Sequence, residues 1–162
     1  MLKNFALTLG LFALVACAHT PAPLPDVNAG HPAETAVITL DRGGDIFGHA
    51  PSYRIEIHGD GTAIFDGHGE TATLGTKQYS IAPADVAGLM EFMKARSFWS
   101  LNDKYQASWT DQIWIQVCVI EGTAKKCVED YAGEVVGMPH TVREIEEEID
   151  RVAQTTPLIK GS

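Results

Sequence analysis

Gln112-Ile113-Trp114-Ile115-Gln116-Val117-Cys118-Val119-Ile120-Glu121-Gly122-Thr123-Ala124-Lys125-Lys126-Cys127-Val128-Glu129-Asp130-Tyr131 carries a strand–turn–strand pattern around which the other elements fall into place. Ile113, Ile115, Val117 and Val119 recur at every second position, the period of a half-buried strand, and Gly122 marks a turn. With Gly122-Thr123 as a two-residue loop, Glu121 faces Ala124, Ile120 faces Lys125, Val119 faces Lys126 and Cys118 faces Cys127. Ladder alternation makes that cysteine pair a non-hydrogen-bonded one, with Cα atoms about 4.5 Å apart, at the short end of the disulfide range. A structural Cys118–Cys127 disulfide is therefore expected in an oxidising compartment. The redox-active alternative lacks a Cys-x-x-Cys spacing. The same register sets Trp114 opposite Tyr131, on the disulfide side and away from the aliphatic face.

Outward from this hairpin, the preceding chain reads as more strands. Ala36 to Leu40 is a first strand, followed by an irregular segment, 41–51, with glycines at 43, 44 and 48. Tyr53-Arg54-Ile55-Glu56-Ile57 alternates, Gly59-Asp60-Gly61 turns, and Thr62 to Phe65 returns. Ala72 to Leu74 is another strand, resuming over 77–81. The period then lengthens. Pro83 and Asp85 suit a first helical turn, and Val86, Leu89, Met90, Phe92 and Met93 form an apolar stripe reaching about Phe98. A loop over 101–110 leads into the hairpin. After Pro139, Val142, Ile145, Ile149 and Val152 form the stripe of a closing helix, capped by His140 or Thr141. Glu144, Glu146, Glu147, Glu148 and Asp150 read as its solvated face. Strands, helix, hairpin, helix, without βαβ alternation, predict an α+β fold: a mostly antiparallel sheet with two helices packed on one face.

The N-terminus carries a different signal. Lys3 precedes an apolar stretch from Phe5 to Ala16, the length of a signal-peptide core and short of the roughly 20 residues a bilayer span needs. Leu14-Val15-Ala16-Cys17 resembles the lipobox of bacterial lipoproteins, which implies cleavage before Cys17 and acylation of that residue, palmitate included. Two or three acyl chains anchor durably where one does not. Cleavage of an ordinary secreted protein after Ala18 is the competing reading, but a free cysteine is an awkward start for a secreted chain. Ala18 after the cysteine resembles the outer-membrane pattern in a Gram-negative cell. The prolines at 21, 23, 25 and 32 make an extended spacer. The organisation expected is thus 1–16 signal, 17–34 lipidated cysteine and tether, 35–155 folded domain, and 156–162 tail. The expected location is the cell envelope, lipid-anchored on the outer membrane and facing the periplasm.

Charge narrows the function. Losing Lys3 with the signal moves the formal net charge from −9 to −10, which disfavours nucleic acid and a polybasic grip on anionic lipid. Gly-x-Ser-x-Gly, His-Glu-x-x-His and Walker-type motifs do not occur. Three candidate clusters remain. His49, His58 and His68, with Asp60 or Asp66, have zinc chemistry, although His58 and His68 do not oppose each other about the Asp60 turn. Asp41, Asp45 and Asp111, with Arg42, could line one rim near Gly43-Gly44 and do acid–base work; loop carboxylates paired with Arg42 are the simpler account. Trp99, Tyr105, Trp109, Trp114 and Tyr131 would make a binding surface if the helices cover the aliphatic side, or else pack under the 101–110 loop.

The Ile38-to-Asp150 region also resembles the DUF6438 family, a domain found in bacterial envelope and lipoprotein-like chains. The resemblance rests on Ile46-Phe47-Gly48-His49-Ala50-Pro51-Ser52-Tyr53, on the Asp60-Gly61 turn, and on Leu89, Phe98, Tyr105 and Asp111 downstream. Two cysteines of the family's first motif are Ile46 and Ala50 here, so no metal or redox role carries over from them. The expectation is an exported lipoprotein that binds another envelope protein or a glycan through Trp114 and Tyr131, without cofactor, metal or catalytic residues. The alternative is a small periplasmic hydrolase or metal-binding protein with its site in the Gly43–Pro51 loop.

Overall fold

The computed structural model describes residues 35–44 and 47–161. The signal, Cys17 and tether readings lie outside the described residues, as do Asp45 and Ile46. Seven strands form one sheet in the order β4-β3-β2-β1-β6-β7-β5. They are β1 (Val37–Gly43), β2 (Ser52–His58), β3 (Thr62–Gly69), β4 (Gly75–Ser80), β5 (Lys104–Gln106), β6 (Trp114–Glu121) and β7 (Ala124–Tyr131). All neighbours are antiparallel except β5 and β7. The helices are α1 (Pro83–Ala95), α2 (His140–Val152) and the short α3 (Thr156–Lys160). The fold is α+β with a mostly antiparallel sheet, as the patterning predicts.

Alternation explains the layers. Ile38 and Leu40 of β1, Ile55 and Ile57 of β2, Phe65 of β3 and Ile115, Val117 and Val119 of β6 are all buried on one face. They meet Val86, Leu89, Met90 and Met93 of α1 and Val142, Ile145, Ile149 and Val152 of α2 in one core cluster. Each such side chain contributes about 1.5–3 kcal/mol when fully buried. The first four strands run as a meander, α1 carries the chain to the far side of the sheet, and the β6–β7 hairpin inserts between β1 and β5. In the β2–β3 turn, Asp60 Oδ1 accepts from Thr62 N–H at 2.8 Å. Gly61 there has φ +89°, and a Cβ would stand 2.4 Å from the Ile81 carbonyl oxygen, so the turn admits only glycine without displacement.

Several boundaries depart from expectation. β1 extends to Gly43, because it is paired on both sides and backbone bonding continues past the apolar run. Ala72 and Thr73 do not open β4; their N–H groups donate to the carbonyls of Ile159 and Leu158. The segment 156–162, read as a tail, carries α3, whose Leu158 is buried. The 101–110 loop contains β5, too short for periodicity to reveal. Pro139, not His140 or Thr141, occupies the N-cap of α2, without a side-chain hydrogen bond. α1 stops at Ala95, three residues short of Phe98, and Ser97 turns left-handed beyond it.

Candidate functional site

The helix-free face of the sheet holds the features singled out in the hairpin. Cys118 and Cys127 are partners in register and disulfide-bonded, with Cα atoms 4.1 Å apart. Trp114 pairs with Tyr131, both half-buried, at the end of the same hairpin. Trp114 packs against Gly43, where a Cβ would sit 3.6 Å from the indole, and the Tyr131 hydroxyl accepts from Gln112 N–H at 3.3 Å. Two shallow clefts flank the disulfide. One, of about 490 Å³, has Cys127, Lys104 and Glu129 in its wall; the other, of about 160 Å³, has Cys118, Thr39 and Asp41; Gln116 and Lys125 border both.

The remainder of this face is a lattice of ion pairs. Arg54 pairs with Asp41 and, at 3.6 Å, with Glu56; His58 lies 2.8 Å from Glu56, His68 3.4 Å from Asp66, and Lys104 2.9 Å from Glu129. The five aromatic residues do not form one surface. Tyr105 enters the helix-side core and its hydroxyl accepts from Asn102 N–H at 3.0 Å. Trp99 lies in a 3-10 turn edge-on to Phe98, and Trp109 stands exposed in the loop before β6. Ile113, the first residue of the aliphatic series, precedes β6 and is 39% exposed.

The other two clusters are dispersed as well. His58 and His68 sit at opposite ends of the β2–β3 ladder, and His49 stacks on Phe47 in the connecting loop. Among the described residues no group of three or more His, Cys, Asp or Glu is placed to hold a metal ion. Asp41 and Arg42, adjacent in β1, point to opposite faces by strand alternation. Asp41 joins Arg54 on the open face, and Asp111 stays in its loop beside Thr110. Asp45 lies outside the described residues.

Arg42 instead anchors a polar network on the helix side, one that sequence reasoning missed. Its Nη2 donates to Asp150 Oδ2 and its Nε to the Tyr53 hydroxyl, both at 3.1 Å. The Tyr53 hydroxyl donates to Asp150 Oδ1 at 2.7 Å, and Thr155 Oγ1 reaches the same oxygen at 2.9 Å. Burial and the neighbouring Asp150 carboxylate push the Tyr53 phenol well above its ordinary range. Beside this network a cleft of about 190 Å³ is bordered by Arg42, Gln112, Asp130 and Arg143. Arg143 is shared among Asp130 at 3.3 Å and Glu134 and Glu146 at 3.4 Å. Asp130 is further satisfied by the Gly133 N–H at 2.7 Å. Glu146 is almost wholly buried, and its Oε2, though within ion-pair reach of Arg143, has no hydrogen bond. Burial first, then the Asp130 carboxylate, raises its pKa to about 7 against the pull of Arg143 and Arg42. A signal was present: Val142, Glu146, Ile149 and Ala153 follow a helical stripe, so Glu146 belongs to the core side rather than the solvated face.

The arrangement is that of an α+β domain in which α1, α2 and α3 lie on one side of a seven-stranded sheet and the disulfide of its β6–β7 hairpin lies on the other. The chain belongs to the family described as Domain of unknown function (DUF6438), which it matches over residues 36–153. No curated protein matches it.

The staple has a measurable consequence. It closes a loop with a sequence separation of 9, and its loss is expected to cost roughly 2–3 kcal/mol by the loop-entropy argument. Urea unfolding of the wild type with and without reductant, and of Cys118→Ser/Cys127→Ser, should show this drop. Equal midpoints would mean that the hairpin is held by its ladder alone.

Proposed function

We propose that this protein is an exported, lipid-anchored envelope component that works by binding rather than catalysis, and that the helix-free sheet face is its contact surface. The observation that carries this reading is the segregation of the molecule. The helices pack against one face, while Trp114, Tyr131 and the disulfide stand together on the other. Two half-buried rings beside a charged lattice match interfaces in which aromatic anchors are surrounded by a polar rim. A disulfide suits an oxidising compartment, and the lipobox-like residues ending at Cys17 supply the anchor. Among the described residues no helix is long and apolar enough to cross a membrane. The partner is another envelope protein or a glycan, met at the periplasmic side of the outer membrane.

Mild crosslinking in living cells, followed by capture through a C-terminal tag, tests the contact. One dominant partner is expected, lost in Trp114→Ala and Tyr131→Ala variants that keep the wild-type unfolding midpoint. Recovery of bulk envelope proteins alone would overturn the reading. Incorporation of labelled palmitate, abolished by Cys17→Ser, tests the anchor independently.

A further inference from the structure

We infer a second binding surface at the opposite edge of the sheet from β5: strand β4 and the groove between it and α3 accept an extended peptide as an eighth strand, with an apolar side chain in the groove and an acidic residue beside Lys77. Among the described residues β4 pairs with β3 alone. The Ile81 N–H donates to the Gly61 carbonyl at 2.9 Å, which sets the phase of the ladder. By antiparallel alternation Tyr79 and Lys77 then turn their backbone groups toward β3, while Thr76, Gln78 and Ser80 direct theirs outward. Most of β4 is exposed, and it contains neither a proline nor a bulge to block pairing.

The groove provides selectivity. Lys77 and Tyr79 oppose Phe65 and Ala63, so their side chains lie on the helix side of the strand. There, with Gln154, Pro157 and Leu158, they enclose a cleft of about 160 Å³. The Tyr79 hydroxyl on the Ala153 carbonyl ties β4 to the end of α2, and the Ala72 and Thr73 N–H groups on the carbonyls of Ile159 and Leu158 hold α3 alongside. An edge strand with a helix beside it is the arrangement that supports strand addition: main-chain bonds supply affinity, and alternate side chains drop into the groove. Charge selects the occupant. The chain has a formal net charge of −9, yet Lys77 in the groove wall is exposed, and no acidic side chain among the described residues forms an ion pair with it. An acidic residue next to the apolar one complements that ammonium group.

The probe is a displayed library of random heptapeptides selected on the full chain, followed by capped synthetic peptides made from the enriched sequences. Convergence on an apolar residue adjacent to Asp or Glu is expected. Adding peptide should shift the amide resonances of Thr76, Gln78 and Ser80 and slow their hydrogen exchange. Gln78→Pro removes an outward N–H at an edge that tolerates proline and should weaken binding about tenfold or more. Lys77→Glu, an exposed change that leaves the ladder intact, should weaken it several-fold and shift selection toward basic sequences. The surface is refuted if the library does not converge, if the peptides perturb residues away from β4 and α3, or if neither variant alters binding. A dimer in sedimentation that Gln78→Pro dissolves would assign the edge to a second copy and likewise refute it. Each readout is separate from Trp114 and Tyr131, so the two surfaces stand or fall independently.

Discussion

Replacing Asp150 with alanine is expected to destabilise the fold by about 3 kcal/mol, the lower end of the range for breaking a buried ion pair because Asp150 retains some exposure. The carboxylate accepts from Arg42, Tyr53 and Thr155, so one side chain ties β1, β2 and the start of α3 to α2. Its removal strands the Arg42 guanidinium and the Tyr53 hydroxyl together at the sheet–helix boundary. Such orphaned groups are costlier than the net worth of the bonds they made. Asp150→Asn keeps an acceptor and should cost less. Arg42→Met combined with Asp150→Leu should recover much of the loss, since an apolar pair of similar volume removes both desolvation penalties. Urea unfolding of the four proteins, with the disulfide intact, checks the series. A loss below about 1 kcal/mol for Asp150→Ala would place the network among ordinary surface ion pairs.

Glu146→Gln is expected to stabilise the protein in alkaline solution while leaving it little changed in mild acid. Burial and the Asp130 and Asp150 carboxylates hold the folded-state pKa near 7, above the ordinary 4.5; Arg143 and Arg42 offset part of that. A raised folded-state pKa means that the native chain binds this proton more tightly than the unfolded chain. The associated stability is complete below about pH 4.5 and is lost as the pH climbs through about 7, a change on the order of 3 kcal/mol. Glutamine cannot ionise, so the variant should lose less stability between pH 5 and pH 8 than the wild type. At pH 8 it should be the more stable of the two. Equal destabilisation at both pH values would show that the Arg143 contact outweighs burial.

Much of the fold was legible in the chain because strand alternation and helix periodicity are local. The residues from Ile113 to Val119 and the position of Gly122 were enough to pair Cys118 with Cys127 and Trp114 with Tyr131, and Val142, Ile145, Ile149 and Val152 marked the core stripe of α2. The same locality limits the reading at the candidate sites. Asp41 and Arg42 looked like one rim, but adjacent strand residues face opposite ways. β5 has three residues and takes its conformation from β7, and α3 is held by the Ala72 and Thr73 N–H groups and by burial of its Leu158 rather than by the helical bonds of five residues.

The fold class, the hairpin register with its disulfide, and the apolar stripes of the two helices were legible in the chain, because each depends on periodicities of two or about 3.6 residues within one segment. Tertiary packing set the strand order, seating the β6–β7 hairpin against β1 and leaving β4 paired with β3 alone among the described residues. It alone brought Arg42, Tyr53 and Asp150 together across as many as 108 residues of chain and buried Glu146 beside Asp130. Those outcomes depend on which apolar faces meet and which polar groups are carried inside with them, a choice made by the packing of the whole chain.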